Sequence, residues 1–143
     1  VYHTVPGIPW EHASLKKPTI QQALDLMQDA GFEGTIVWPW PELIAETRRR
    51  GMVRIGFMDA GPTDWREKLE AIAPLEVERV NIQLLDHDTP PAVAVKTWRK
   101  IERHAARLGV TVDLETHRDT CTETPEKIVE INRLYRAATG RNI

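Results

Sequence analysis

The sequence predicts an α/β protein in which parallel strands and helices alternate along the chain. Two observations predict this fold class. From residue 19 onward, segments with the apolar spacing of amphipathic helices alternate with short runs rich in β-branched residues. Each helical segment begins at a capping residue or a proline, and four of the five end at a glycine. Because connections are short and crossovers right-handed, such an alternation folds into one parallel sheet.

Five helices follow from these start and stop signals. Thr19 and Gln22 form a capping box, after which apolar residues recur at helical spacing. Asp64 and Glu67 form a similar start for a shorter helix. The predicted helices are α1 between Thr19 and Gly31, α2 from Pro41 through Arg50, α3 from Asp64 through Ala73, α4 from Pro91 to Gly109, and α5 from Thr124 to Gly140.

The buried faces of the two longest helices can be predicted from the same periodicity. We expect α4 to bury Trp98, Ile101, Ala105 and Leu108. We expect α5 to bury Ile128, Ile131, Leu134, Tyr135 and Ala138. His104 falls between the apolar positions of α4 and is expected on the helix surface.

Five strands complete the alternation. The predicted strands are β1 (residues 2–5), β2 (35–38), β3 (53–58), β4 (80–85) and β5 (110–115). The chain order is therefore β1-α1-β2-α2-β3-α3-β4-α4-β5-α5. We interpret residues 1–143 as a single partial domain that ends before a sixth strand.

Alternation within the strands favours a (β/α)₈ barrel over an open doubly wound sheet. In a sheet covered on both faces, strands are continuously apolar. Here apolar residues alternate with residues of other types, most of them polar. Expected against the helices are Val53, Ile55 and Phe57 in β3, Val80, Ile82 and Leu84 in β4, and Val110, Val112 and Leu114 in β5. Expected on the other face are Arg54, Gly56 and Met58, then Asn81 and Gln83, then Thr111, Asp113 and Glu115. A polar inner face suits the interior of a barrel, so the sequence predicts the N-terminal half of one, with helices on the outer face.

Composition and charge limit the classes of partner. With 41% hydrophobic and 28% charged residues, the chain is typical of soluble globular proteins. A net charge of −2 provides no general field that attracts nucleic acid, so no nucleic-acid partner is expected. No apolar run approaches the roughly 20 residues that cross a bilayer, so no membrane partner is expected either. The single cysteine, Cys121, fits a reducing compartment such as the cytoplasm and is interpreted as a packing residue.

Polar residues gather where the predicted strands end, which is where barrel enzymes place their active sites. These residues are His3, Trp38, Trp40, Asp59, Gln83, Asp86, His87, Asp88, Glu115, His117 and Arg118. Strand alternation points Glu115 and His117 to the same side, and both are ordinary ligands for zinc or manganese. Arg118 offers a fork of donors for a carboxylate, phosphate or polyol.

Two further groups of residues each have two interpretations. His87, within Asp86-His87-Asp88, is either part of a second ligand cluster or a residue of a turn. Gln83 precedes it at the end of β4 and is a candidate for substrate binding. Trp38 and Trp40 form either an apolar wall for a sugar ring or part of the core.

The sequence resembles the xylose isomerase-like TIM barrels, the family of sugar phosphate isomerases and epimerases. The resemblance covers nearly the whole chain and rests on residues 30–34 before β2, residues 107–110 before β5 and, above all, residues 112–118, Val-Asp-Leu-Glu-Thr-His-Arg. It implies that Glu115 is a ligand of a divalent metal (Zn, Mn or Mg), with the other ligands on strands six to eight. Family epimerases carry a second glutamate six positions later, where this chain has Cys121.

The resemblance implies a parent enzyme that isomerises or epimerises a small sugar or sugar phosphate. The metal would polarise a carbonyl and its neighbouring hydroxyl so that a base can move the proton through an enediolate. His117, Arg118, Gln83 and His87 would then contact the substrate. A half-barrel with one carboxylate ligand is expected to be inactive alone, and its exposed sheet edges predict self-association.

Three other functions remain open on the same fold. A dehydratase acting on an inositol-like polyol would use the same metal and enediolate chemistry. A relative of apurinic-site endonucleases is disfavoured by the lack of a basic surface. A non-catalytic half-barrel would act only as an interaction module.

Overall fold

The computed structural model describes the backbone of residues 2–4 and residues 18–143 in full. Its five strands form one sheet in the order β1-β2-β3-β4-β5, and every neighbouring pair is parallel. This confirms the predicted parallel α/β class. The strands are β1 (Tyr2–Thr4), β2 (Gly34–Val37), β3 (Val53–Ala60), β4 (Arg79–Leu84) and β5 (Thr111–Leu114). Val5, predicted to end β1, lies outside the described residues.

The helices begin and end close to their predicted signals. They are α1 (Ile20–Asp29), α2 (Pro41–Arg49), α3 (Trp65–Ile72), α4 (Pro91–Leu108) and α5 (Pro125–Thr139), with a 3₁₀ turn at Ala73–Leu75. The capping box of Thr19 and Gln22 is present, and Thr124 accepts a hydrogen bond from the Lys127 N–H. Asp64 makes no capping hydrogen bond to α3, because its carboxylate instead pairs with Lys68 at 2.6 Å.

Helices cover one face of the sheet, and the main core lies between this face and the helices. On this face Val80, Ile82 and Leu84 of β4 are fully buried. They pack with side chains from α3, α4 and α5, among them Leu69, Ile101 and Ile131. The predicted alternation of β4 is therefore confirmed. Val112 and Leu114 of β5, paired with Val80 and Ile82, pack on the same cluster.

A second core cluster lies under α1 and α2. Its buried members are Leu24, Val37, Leu43, Ile44 and Met52. Because Val37 is paired with Gly56, and Gly56 with Val80, this cluster lies on the same face of the sheet as the main one. Leu75 and Val77, from the connection between α3 and β4, pack against both clusters.

The predicted orientation of β3 is wrong. Met58 and Ala60 are buried in the main core, paired with Ile82 and Leu84, so they face the helices. Gly56 faces them too: a Cβ built there would lie 2.6 Å from the Ile72 Cγ2. Val53, Ile55 and Phe57 therefore face the other side. The pairing with β4 sets which side chains of β3 face the helices. The positions of the β-branched residues in β3 do not predict this orientation.

Three positions on the long helices also differ from prediction. Leu108 and Ala138 lie in the last turns of α4 and α5 and are exposed. His104 is buried, because it packs edge-on against Trp65 of α3 and approaches Glu70 Oε1 at 2.9 Å. Among the helices of residues 18–143, none has the length and apolar content that a bilayer crossing requires.

Candidate functional site

The face of the sheet opposite the helices carries a polar ladder across β4 and β5. Asn81 is paired with Asp113 in the strand register, and neighbouring side chains bridge the two strands. Arg79 Nη1 donates to Asp113 Oδ2 at 2.9 Å, and Asn81 Nδ2 donates to Glu115 Oε2 at 2.8 Å. We call this side the open face. The ladder places Glu115 at the carboxyl end of the sheet.

Glu115 is held in place by both its backbone and its side chain. Its N–H donates to the Ile82 carbonyl at 2.9 Å, and its own carbonyl accepts from Thr122 Oγ1 at 2.8 Å. Asn81 engages one carboxylate oxygen, while the other, Oε1, has no hydrogen bond from the described residues. The side chain is half-buried. The result is an oriented carboxylate whose second oxygen accepts no hydrogen bond from the part of the chain that the structure describes.

Two buried threonines organise the loop between β5 and α5. Thr122 Oγ1, besides donating to Glu115, accepts from the His117 N–H at 3.2 Å. Thr120 Oγ1 donates to the His117 carbonyl at 2.7 Å. The N–H of Cys121 donates to the Leu84 carbonyl at 3.2 Å and so attaches the loop to the end of β4. These bonds satisfy backbone groups that a loop would otherwise leave to water.

The His117 ring has a defined tautomer. Its Nδ1 lies 2.6 Å from the Arg118 carbonyl oxygen, which can only accept, so Nδ1 carries the proton in the neutral ring. Nε2 then keeps its lone pair, the arrangement that suits a metal ligand or a general base.

His117 and Arg118 lie together in one groove. This groove of about 330 Å³ runs beside the start of α5, and Thr122 and Thr124 also line it. Glu115 is not among its lining residues. The structure thus brings His117 close to Arg118, while Glu115 belongs to the polar ladder of the open face. Gln83 follows Asn81 on that face, paired with Asp59 of β3.

Turn geometry accounts for the residues around His87. The Thr89 N–H donates to the Asp86 carbonyl at 3.1 Å, and the Thr89 hydroxyl to Asp86 Oδ1 at 3.0 Å. The His87 ring is exposed, 3.4 Å from Asp88, and its carbonyl accepts from Lys127 Nζ. These contacts match the turn interpretation, and Lys127 links this turn to the start of α5.

Residues 2–4 and 18–143 contain no group of three or more His, Cys, Asp and Glu side chains placed to hold one metal ion. The donors of Glu115 and His117 match, in chemistry, what zinc or manganese accepts. Their number falls short of the three protein ligands typical of catalytic zinc sites. Among the described residues, these two donors do not by themselves make up such a site.

Aromatic side chains follow the end of β2, beside the open face. The ring centroids of Trp38 and Phe57 lie 5.8 Å apart, and those of Trp38 and Trp40 lie 6.4 Å apart. Trp40 is 46% exposed, so the cluster presents an apolar surface near the carboxyl end of the sheet. Of the other strand-end candidates, the His3 side chain lies outside the described residues.

Cys121 is fully buried, in agreement with its interpretation as a packing residue. Burial raises the pKa of its thiol to about 11. A neutral thiol at physiological pH is a poor nucleophile.

Sequence reasoning missed Asn81, Thr120 and Thr122 as residues of the site. The alternation of β4 predicts only that Asn81 faces away from the helices. The sequence does not show which residue of β5 lies beside Asn81. The Thr-x-Thr spacing after the Glu-x-His triplet was the available signal for the loop, because such hydroxyls commonly bond nearby backbone groups.

Comparison with known proteins gives one structural similarity. No protein-family model matches the chain, and no curated protein matches it. The fold is similar to the arginine decarboxylase of Paramecium bursaria Chlorella virus, with a TM-score of 0.47 and 14% sequence identity. The similarity covers 86% of this chain, which spans 40% of the length of that structure.

Proposed function

We propose that this chain is the N-terminal half of a (β/α)₈ barrel, from β1 to α5. Five parallel strands in sequence order, with all the described helices on one face, support this proposal. The polar open face of β4 and β5 supports it too, because barrel interiors near the active-site end carry such residues. On β3, only Asp59 adds a polar residue to that face, which otherwise presents Ile55 and Phe57.

We further propose that the whole protein is a metal-dependent isomerase or epimerase of a small sugar or sugar phosphate. The observation that carries the proposal is the Glu115 carboxylate, held by Asn81 at the carboxyl end of β5 with Oε1 available. The similarity of residues 112–118 to the xylose isomerase-like barrels gives this carboxylate its role as metal ligand.

Each residue of the site then has a defined task. Asn81 orients the carboxylate, and Glu115 would supply one oxygen ligand to the metal. His117 would contact the substrate through Nε2. Arg118, exposed in the same groove as His117, would bind the phosphate or hydroxyl groups of the substrate. Gln83 would contact the substrate from the open face, and His87 from the neighbouring turn. A bound metal would supply polarisation of the substrate carbonyl. Its remaining ligands belong to strands six to eight of the proposed barrel.

The test is Glu115→Gln in the full-length protein, because this change removes the charge and keeps the shape. We expect loss of bound metal, measured by atomic absorption, together with loss of aldose–ketose interconversion or epimerisation. Glu78→Gln is the matched control, since Glu78 is exposed at the opposite end of β4. Unchanged metal content and activity in Glu115→Gln would contradict the proposal.

A non-catalytic half-barrel is the second candidate, favoured by the lack of three clustered ligands in the described residues. It predicts that the full-length protein binds no divalent metal stoichiometrically, and that Glu115→Gln leaves partner binding unchanged. Metal analysis of the full-length protein distinguishes the two functions directly.

A further inference from the structure

The exposed face of α4 carries five cations and no anion. They are Lys96, Arg99, Lys100, Arg103 and Arg107, all exposed. At 3.6 residues a turn, they fall within an arc of about 100°, opposite the buried Trp98, Ile101 and Ala105. They span about 16 Å along the axis, at a rise of 1.5 Å a residue. We call this surface the α4 cationic stripe.

The stripe is not neutralised by the described part of the chain. None of its five side chains has a carboxylate partner there: Arg103 donates to the Arg99 carbonyl, and Arg107 contacts His104. Cations stand three and four residues apart along the stripe, an arrangement that disfavours the helix. A chain of net charge −2 thus concentrates unpaired positive charge on one helix face.

Several cations on two other helices of the protein pair with carboxylates. On α2, Arg48 pairs with Glu76 and Arg49 with Glu46. On α5, Arg133 pairs with Glu130 at 2.7 Å. Such pairing removes the need for an external anion. The α4 stripe differs from these helices in charge balance, although its exposure to solvent is similar.

Carboxylates lie along both edges of the stripe. Glu70 of α3 contacts His104 along one flank. Glu102 accepts from the Tyr135 hydroxyl and faces Arg141 along the other. The positive surface is therefore about as wide as a single helix. A shallow groove of about 290 Å³, lined by Lys96, Arg99 and other residues of α4, runs along it.

We propose that the α4 cationic stripe binds an acidic segment of a partner protein. A narrow anionic chain can place its carboxylates along the stripe and meet at most its edge, where Glu102 lines a groove together with Arg99 and Arg103. A lipid bilayer or a DNA duplex presents a wider anionic surface, which would also meet Glu70 and Glu102. The stripe has no aromatic side chain on which bases could stack, so single-stranded nucleic acid is a poor match too. Because the stripe lies on the solvent side of the helix layer, this inference is independent of the proposed enzyme site.

The experiment measures binding of fluorescein-labelled poly-L-glutamate to the chain by fluorescence anisotropy at low ionic strength. We expect binding that weakens with added salt, as it does for exposed charges. The double variant Arg99→Glu with Arg103→Glu is expected to bind at least about tenfold more weakly. The matched control reverses the same number of charges on α5, with Arg133→Glu and Arg136→Glu, and should bind within about twofold of the unmodified chain.

Thermal unfolding of each variant shows whether it folds, and Arg99→Gln with Arg103→Gln replaces the reversal variant if that protein is unfolded. Absence of poly-L-glutamate binding, or an equal loss in the α4 and α5 variants, would overturn the proposal. Tighter binding of a DNA duplex or of phosphatidylserine vesicles, dependent on Arg99 and Arg103, would also overturn it and assign the stripe to that ligand. Self-association that the α4 variant abolishes would assign it to a second copy of the chain.

Discussion

The two faces of the sheet are built by alternate residues of the same strands, yet they differ in chemistry. On the covered face, Ile82 and Leu84 are fully buried among helices. On the open face, Asn81 and Glu115 form a hydrogen-bonded pair between strands. In β4 and β5, apolar burial therefore concentrates on one side, while the other side keeps oriented polar groups. Stability and ligand binding should therefore respond to different substitutions at neighbouring positions of one strand.

The largest effect is expected for Ile82→Ala on the covered face. Ile82 is completely buried in the main core, so truncation should lower the free energy of unfolding by about 2–5 kcal/mol. Urea unfolding followed by circular dichroism measures the change. A loss no larger than that of an exposed α5 control, Val129→Ala, would show that this face does not dominate stability.

Reactivity of Cys121 should report the same burial. Because burial raises the pKa of the thiol from 9.0 to about 11, the folded protein should hold about one hundredth of the thiolate of an unperturbed cysteine near pH 8. Alkylation of Cys121 by iodoacetamide should therefore be at least about a hundredfold slower in the folded protein than in the urea-unfolded chain. The rate should rise with pH up to about 11, where the thiol ionises. Equal rates in the folded and unfolded chains would place the thiol outside the core.

Gly56→Ala tests how closely α3 packs on β3. The added methyl group would lie 2.6 Å from Ile72 Cγ2 and 3.1 Å from Val80 Cγ2, so we expect a destabilisation of about 1–3 kcal/mol. Ile72→Leu removes the Cγ2 methyl and should recover part of the loss in the double variant. If Gly56→Ala were as stable as the unmodified protein, β3 would not face the helices at this position.

The smallest effect on stability is expected for Asn81→Ala on the open face. Its hydrogen bond to Glu115 is partly exposed to water, so the free energy of unfolding should fall by about 1 kcal/mol or less. Under the function proposed above, the metal affinity of the full-length protein should fall about tenfold or more, because the carboxylate loses its orienting partner. Calorimetric titration with Mn²⁺ measures this. A large loss of stability with unchanged metal affinity would reverse the comparison between the faces.

Much of the fold could be predicted because its signals are local. Caps, glycine stops and apolar spacing predicted the order of the elements and the orientation of β4 and β5. The orientation of β3 could not be predicted in the same way. The pairing with β4 turns position 56 towards the helices, and α3 packs too closely there for a side chain. Both features depend on tertiary structure. His104 became buried for the same reason, through Trp65 and Glu70 of a different helix.

The candidate site was predicted as residues rather than as a geometry. The roles of Glu115, His117, Arg118, Gln83 and His87 stay predictions. Strand alternation placed Glu115 on the open face, but its bond to Asn81 depends on a register between strands that the sequence does not display. The loop bonds of Thr122 likewise link groups whose proximity arises only when the chain turns after β5.

The division of the core into two clusters affects how parts of the protein unfold locally. Among the described residues, Leu75 and Val77 pack against both the cluster under α1 and α2 and the larger cluster under α3 to α5. Cooperative units that share few buried contacts can open separately. We therefore expect the amides of β2 to exchange with solvent deuterium faster than those of β4. Shortening the shared contact with Val77→Ala should widen that difference, whereas a uniform change across the sheet would indicate a single cooperative unit.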